Sequence, residues 1–439
     1  MEQLLAGFAR LVITPPFGLK IPGYYQTRIA DGILDDLHCT AVAFEQDGKR
    51  AILFSIEAIG VRNKAYEDLR TLIAERCHMD ADGVYLTAVH SHTAFRLCRP
   101  EDENEPIDIY LRMVYQKLCD CAQMAFEDLH PATLLTARGE AKGIAFIRRY
   151  RMKDGTYRTN PGVGNPDVEA MLDRQDEEVI LLRVVRENAK EILMVNFGTH
   201  ADVIGGTKYS GDFSGHAVRA LEGAFAGDVE VIYLNGAEGD SNHVNVFQPK
   251  GTVSKGYELS KHMGRTIAGE VLKIYGKAKP MQSQTLDFAN RIVDIPKNTF
   301  DPAMLPEYRK AADIYNREGK DAPYFKEKMG APYVEALRVI RNLDHPPFYP
   351  LHVSAVRLGD AVFTGFPGEP FTKLGLEVKE KSPFPVTVVT SCTNGSDGYF
   401  PTPEAYEVGG YEKMASPFSS ECGTILVKNA LEMAEELCK

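Results

Sequence analysis

The segment VILLRVVRENAKEILMVNFGTHAD, residues 179–202, sets two apolar runs on either side of a polar stretch and ends in Gly-Thr-His-Ala-Asp. Aliphatic and β-branched runs broken by a short polar turn predict a β-hairpin, here turning near Glu187–Asn188. The same design occurs twice more. CTAVAFEQDGKRAILFSIEAIG (39–60) turns at Asp47–Gly48, and LHVSAVRLGDAVFTGFPGEP (351–370) turns at Gly359–Asp360. In each case the second strand runs into a loop rich in glycine or polar residues. A further strand pair is expected around VYLTAVHSH (84–92) and VEVIYLNGAEGD (229–240).

Helical periodicity fills the gaps. NKAYEDLRTLIAERC (63–77) places Tyr66, Leu69, Leu72, Ile73 and Arg76 on one face, and residues 107–129 form a longer amphipathic run. Another helix is expected over 256–275, and a last one in SSECGTILVKNALEMAEEL (419–437), with Ser419 or Ser420 as N-cap. Hairpins interspersed with helices predict an α/β fold, a mixed β-sheet core flanked by helices in a single large domain covering 1–439. Residues 300–342 read as a helical insertion on the outside of that sheet. No linker divides the chain and no fixed-period repeat is visible.

The 439 residues are 44% hydrophobic, enough for one large core or two ordinary ones. A formal charge of −11 argues against nucleic acid as a partner, because phosphate binding needs clustered Lys and Arg. The longest apolar stretches, such as AILFSIEAIG (51–60), are too short for a transmembrane segment. The N-terminus does not read as a secretory signal, so the expected location is the cytoplasm. Eight cysteines without a CxxC pair fit reduced, mostly buried thiols. Composition leaves room for a homo-oligomer without fixing the state.

Alternation along a strand puts residues two apart on one face, so His90 and His92 are expected to project together where 84–92 ends. His200 and Glu369 stand where two of the hairpins end. Imidazoles and a carboxylate at strand ends are the donor types of a catalytic zinc site with one position open for water. Taken singly, each also fits a plainer role: a hydrogen-bonded core histidine beside a solvated one, a strand-end cap, a carboxylate on backbone N–H groups. No compact motif such as HExxH is present.

In order along the chain stand ARLVITPP (9–16), GYY (23–25), DGILDDLHCTAVAF (31–44), LTAVHSHT (86–93), IRR (147–149), NFGTHAD (196–202), SGDFSG (210–215), LNGAEGDSN (234–242), FPGEPFT (366–372) and GYFPTPEAYEVGGYEKMAS (398–416). This series resembles the neutral ceramidases, zinc-dependent amidases acting on N-acyl sphingosine. The resemblance implies a Zn2+ cofactor held by His90, His200, Glu369 and Tyr399. It also implies His92 and Tyr411 as catalytic groups at the substrate carbonyl and Arg148 as a substrate-binding residue, with Arg149 and Arg151 competing for that match. Tyr406 lies between the two tyrosines, as in the family.

The sequence also departs from the family. Thr93-Ala94-Phe95 replaces Ser-Gly-Pro, and GDSNHVN replaces GDxSPN, which puts Asn242 where the family has serine and Ser241 one place early; a nucleophilic serine is not implied. Ceramidases carry a signal sequence and a C-terminal β-sandwich, and this chain reads as having neither. The expectation is therefore a ceramidase-like zinc hydrolase cleaving a linear amide of a small soluble substrate. A metal-dependent esterase or lactonase and a non-catalytic metal- or ligand-binding homologue remain as alternatives. Asp240, Asp212 and Asn196 are candidates for orienting the imidazoles, or simply turn and cap residues.

Overall fold

The structure is a computed structural model that describes residues 2–326 and 332–439. Among the described residues the chain builds one arrangement three times. The first unit runs β1 (Leu5–Val12), β2 (His38–Gln46), β3 (Lys49–Ile56), α1 (Asn63–Cys77), β4 (Val84–Ala88) and α2 (Ile107–Glu127). The second runs β5 (His130–Glu140), β6 (Glu178–Arg186), β7 (Glu191–Phe197), α3 (Asp212–Ala224), β8 (Val229–Asn235) and α4 (Tyr257–Tyr275). The third has β9 (Leu286–Pro296), then α5 (Leu305–Glu318) and α6 (Pro332–Arg341), then β10 (Phe348–Leu358), β11 (Ala361–Gly365), α7 (Thr372–Lys381), β12 (Val386–Thr390) and α8 (Cys422–Cys438).

In every unit the first three strands pair antiparallel and the fourth adds parallel to the third, after a crossover helix. The hairpins are the three expected from sequence. Asp47 and Gly48 both take positive φ, 47° and 78°, as a two-residue turn requires when its twist must match the strands it joins. A short β1–β5 pairing, Leu5 with Pro131 and Ala6 with His130, joins the first two units into one mixed sheet. The pairing expected between 84–92 and 229–240 does not form. Each of those strands instead extends its own hairpin, because the crossover helix returns it to the edge of the same sheet.

Strand alternation sorts the side chains into layers. On β2, Cys39, Ala41 and Ala43 face α1 and α2, while Val42 and Phe44 face a core that also receives Leu182 and Met194 from the second unit and Val356, Phe363 and Val388 from the third. The opposite faces of the second and third units carry α3 and α4, and α7 and α8. The fold is thus a mixed α/β domain with helices outside, and β4 is buried at all five residues because both its faces are covered.

Details depart from the helical expectations. Leu72 is 39% exposed on α1 and Arg76 binds Gln123 and Asp120 of α2, so the buried stripe of α1 is Tyr66, Leu69, Ile73 and Cys77. α8 starts at Cys422 with Glu421 at the N-cap position; Ser419 and Ser420 precede it and neither side chain caps it. The insertion expected at 300–342 contains α5 and α6, of which residues 327–331 lie outside the described residues. Its helices lie between β9 and β10 and the segment reaches the centre: the Tyr315 hydroxyl donates to the Tyr25 carbonyl, and Tyr315 and Arg341 line the central cavity. All eight cysteines are unpaired, and no helix among the described residues is long and apolar enough to cross a membrane.

The fourth strands of the three units meet at their C-terminal ends. Ser391 N–H donates to the Asn235 carbonyl (3.0 Å), Asn235 Nδ2 donates to the Val89 carbonyl (3.3 Å), and Asn196 Nδ2 bridges the Leu234 and Val389 carbonyls (2.9 and 3.1 Å). Beyond β8, Asp240 Oδ1 accepts the Thr372 N–H at the start of α7 (2.7 Å), tying the second unit to the third.

Two stability predictions follow from this packing. Phe363, 1% exposed in the core shared by all units, should cost about 3–5 kcal/mol when replaced by Ala, read as a lowered urea midpoint. Burial pushes the Asp240 carboxyl from 3.8 up to about 6. The folded state then holds a proton that the unfolded chain releases, so the wild type loses stability as pH rises from about 4 to about 6 and stays penalised above that. Asp240→Asn keeps the acceptor without the charge, and its stability relative to wild type should climb by about 3 kcal/mol over that window. Urea unfolding at pH 4, 5 and 7 checks this; a difference that does not change with pH contradicts it.

Candidate metal centre

All three units deliver polar side chains to the end of the molecule where the fourth strands meet. His90 and His92 follow β4, His200 follows β7, and Glu369 follows β11 in a two-residue strand, Glu369–Pro370, paired in register with Tyr399–Phe400. The two histidines of the HxH pair do not sit on the strand. β4 ends at Ala88, and His90 adopts a left-handed backbone with φ 65°, a conformation that a non-glycine residue holds only where its surroundings impose it. The loop, not the strand period, aims both rings inward, with centroids 4.9 Å apart.

The geometry at the centre is tight. Glu369 Oε2 lies 3.1 Å from His200 Nε2 and 3.4 Å from His90 Nε2; His92 Nε2 lies 3.3 Å from His90 Nε2; Tyr399 Oη lies 3.4 Å from His200 Nε2. His90 Nδ1 contacts the Ile59 carbonyl at 2.7 Å and His200 Nδ1 the Glu238 carbonyl at 2.8 Å. Since a carbonyl only accepts, both Nδ1 atoms carry a proton, which leaves both Nε2 atoms, facing the Glu369 carboxylate, as the positions that can take a cation or a second proton. Against the effect of burial, the Glu369 and Glu238 carboxylates hold the His90 imidazole well above its ordinary value. Glu369 Oε2 is buried without a hydrogen-bond partner. Donor separations of 3.1–3.4 Å match the edge of about 3.3 Å expected for a tetrahedron of ligands each 2.0–2.1 Å from a zinc ion. The residues present therefore fit a divalent cation.

Two other donor combinations lie close by. His90, His92 and His200 have ligand atoms within 4.8 Å of one another, so His92 competes with Glu369 as a third donor. His90, Glu238 and Cys392 form a second cluster, with Cys392 Sγ 3.5 Å from His90 Nδ1. The second cluster is the poorer cation site, because His90 Nδ1 is committed to Ile59. Burial also pushes the Cys392 thiol up to about 12, so it stays protonated and donates to Glu238.

Electrostatics separate the roles of the remaining groups. Burial alone would raise the Glu369 carboxyl, but His90 and His200 hold it well below the usual carboxylate range. Burial, reinforced by His90, pushes His92 well below its ordinary value, so its imidazole is neutral at pH 7. Burial raises both Tyr399 and Tyr411 well above the ordinary phenol, and each keeps its proton unless a cation's charge is supplied nearby. Burial carries Glu238 up to about 8; it accepts hydrogen bonds from Asn235 and Ser391.

His90, His92, His200, Glu369, Tyr399 and Tyr411 converge here, and the other residues singled out from sequence take different places. Arg148 is buried, donates to Glu412 and to the Gly239 carbonyl at 2.8 Å each, and lies 5.5 Å from the Tyr399 ring and 5.9 Å from that of Tyr411. Arg149 shares Glu412 from outside, and Arg151 pairs with Glu169 at the surface. Tyr406 is occupied elsewhere, donating to the Phe418 carbonyl at 2.7 Å with the Ser416 hydroxyl 3.0 Å away. The orienting role weighed for Asp240, Asp212 and Asn196 is not what they do. Asp240 holds Thr372, Asp212 accepts from Ser260 and Phe213, and Asn196 bridges strands, while backbone carbonyls hold the imidazoles. Ser241 donates to Gln175 with the Thr199 hydroxyl 3.1 Å away, and Asn242 donates to Asn160, a cavity-wall residue, while neither Ser241 nor Asn242 lines the two central cavities.

The GYY segment forms a wall that sequence reading quoted without a role. Tyr24 lies 5.1 Å from the His92 ring, and Tyr25 lies 6.5 Å from Tyr411. Gly23, at φ 105°, passes so close that a Cβ there would stand 2.8 Å from His92 Nδ1, so only glycine lets the wall approach. Glu238, Ile59, Arg96 and Glu412 were likewise missed. Glu238 was visible within GAEGD, whereas a backbone carbonyl such as that of Ile59 carries no signature.

No protein-family model matches this chain, and no curated protein does. Solved structures do match. The neutral ceramidase from Pseudomonas aeruginosa superposes with a TM-score of 0.74 at 17% identity, covering 99% of this chain and 74% of its own. A ceramidase complexed with C2 superposes at 0.73 and 16% identity, covering 99% and 75%. Along almost its whole length, then, this chain carries the fold of those ceramidase structures.

Proposed function

We propose that the protein is a zinc-dependent hydrolase that cleaves a linear amide bond of a small, non-lipid substrate. The observation that carries this reading is the convergence of His90 Nε2, His200 Nε2 and Glu369 Oε2 at 3.1–3.4 Å, with both Nδ1 protons committed to carbonyls. His90, His200, Glu369 and Tyr399 would hold the ion. When bound, zinc supplies Lewis acidity, ionising a water near neutral pH and polarising the amide carbonyl. The known ceramidases of this fold hydrolyse an amide, which favours that bond class here.

The chain's own groups then divide the remaining work. Tyr411, protonated through burial, presents a hydroxyl to the carbonyl oxygen as negative charge develops on it, a donor worth about 3 kcal/mol when well placed. His92 is neutral, so its imidazole accepts a proton during attack and returns it to the departing amine nitrogen. Arg148, clamped by Glu412, fixes both tyrosine rings. Tyr24 and Tyr25 close the site against bulk water. The cavities that open from this centre measure about 560 and 700 Å3, in the range of small-molecule sites, and the first carries several cationic side chains that a ceramide tail would not match.

Metal content and turnover test the assignment together. His90→Ala and His200→Ala should each lose bound zinc and activity. His92→Ala should keep one zinc per chain while kcat falls about 10²- to 10⁴-fold. Release of zinc from His92→Ala would show that His92 is a ligand and overturn the division of roles.

Matched amide and ester substrates with one acyl group test the bond class. Hydrolysis of the amide is expected; cleavage of the ester alone would support the esterase alternative, and zinc binding without turnover of either would support a binding protein.

A further inference from the structure

Two cavities share the walls formed by Gly23, Tyr24, Tyr25, His92, Tyr399 and Tyr411, and from there they diverge. Away from the centre the 700 Å3 cavity offers the apolar surfaces of Tyr157, Pro161 and Met414, and its charged wall residues Arg158 and Asp202 face Asp154 and His243. The 560 Å3 cavity is cationic: Lys20, Arg28, Arg96 and Arg341 line it, against Glu103 and the Glu369 of the centre.

These four cations are not equivalent. Lys20 and Arg341 are exposed to water. Arg28 is a structural clamp, donating to the carbonyls of Pro22, His92 and Gly206 beneath the Tyr24 ring. Arg96 is half-buried on the cavity wall, and among the described residues its side chain has neither an ion pair nor a hydrogen bond. The acids around it are engaged: Asp397 with Arg62 at 3.2 Å, Glu103 with the Cys98 thiol at 3.6 Å, Glu369 with the two histidines. Burial, and then repulsion from Arg62, lowers the guanidinium to about 10, which still leaves it charged at neutral pH. The Asp397 and Glu369 carboxylates act on Arg96 only through space, so its guanidinium has no partner in contact, and its N–H groups are left for an anion in the cavity.

We propose that Arg96 receives a carboxylate carried by the substrate on one side of the scissile amide, while an apolar group on the other side occupies the aromatic cavity. Of the cavity's cations whose side chains have no hydrogen-bond or ion-pair partner among the described residues, Arg96 is the one withdrawn from water, and its planar fork presents two parallel N–H groups to the two oxygens of a carboxylate. The substrate class is thus an N-acyl compound with one acidic arm and one apolar arm. This inference rests on the amide-hydrolase reading, and it gives the cationic cavity its purpose.

Calorimetric binding to the zinc-loaded protein separates the two claims, because it does not require turnover. The probes are N-benzoylglycine and its neutral counterpart N-benzoylglycinamide. Wild type should bind the carboxylate at least about tenfold more tightly. Arg96→Gln should bring that ratio close to one, and Arg96→Lys, which keeps the charge but loses the fork, should retain an intermediate preference. Equal binding of the two probes by wild type, binding of neither, or a preference that survives Arg96→Gln would overturn the inference. Selective binding without any amide hydrolysis would keep it and sink the hydrolase reading; hydrolysis without selectivity would do the reverse. Should Arg96→Gln not fold, Arg96→Lys against wild type decides, since an unchanged ratio there contradicts a bidentate contact.

Discussion

The structure turns on one electrostatic conflict. His90 Nε2, His200 Nε2 and Glu369 Oε2 are held within 3.4 Å of a neighbour, inside the protein, with these atoms facing one another and the Nδ1 protons directed to the Ile59 and Glu238 carbonyls. Such a cluster holds together only around a positive charge, a proton on His90 Nε2 beside the carboxylate or a cation in its place. Much of the surrounding structure enforces it: the strained loop that turns His90 inward, the in-register pairing that sets Glu369 beside Tyr399, and the Asp240 link that fastens the second unit to α7.

Three units of the same topology make that enforcement possible. Their inward faces share one core, so the ends of their fourth strands are fixed relative to each other, and a donor placed just past a strand in any unit arrives at the common end. The ligand set is spread over more than three hundred positions of sequence for this reason. An ion gripped by three units would also contribute its binding free energy to the folding of the whole domain, not to one loop.

How much of this could be read from the chain depends on the range of the interaction. The hairpins were legible because Asp47–Gly48 and its counterparts are local signals, and α1 was legible from its period. The threefold arrangement was not, since it lies in pairing order and the units share no sequence repeat. Neighbouring strands were therefore assigned to each other when they belong to opposite edges of one sheet. At the site, His200 and Glu369 were found from their place at hairpin exits. His90 and His92 were found through a strand periodicity that does not extend to them, since β4 stops at Ala88. The partners of the imidazoles escaped notice because backbone carbonyls are common to every residue. Arg96 escaped because its distinguishing property is the lack of a partner, which only three-dimensional packing reveals.

The connection between the first and second strands is long in each unit, and all three reach the centre: Tyr24 and Tyr25 from the first, Arg148 from the second, Tyr315 and Arg341 from the third. The donors for the ion come from other loops. Much of the rim is consequently written apart from the reactive floor, Arg96 in the histidine loop being the exception, and evolution can lengthen, shorten or recharge those three connections without disturbing the floor. A scaffold of this kind can reshape most of its pocket by exchanging surface segments.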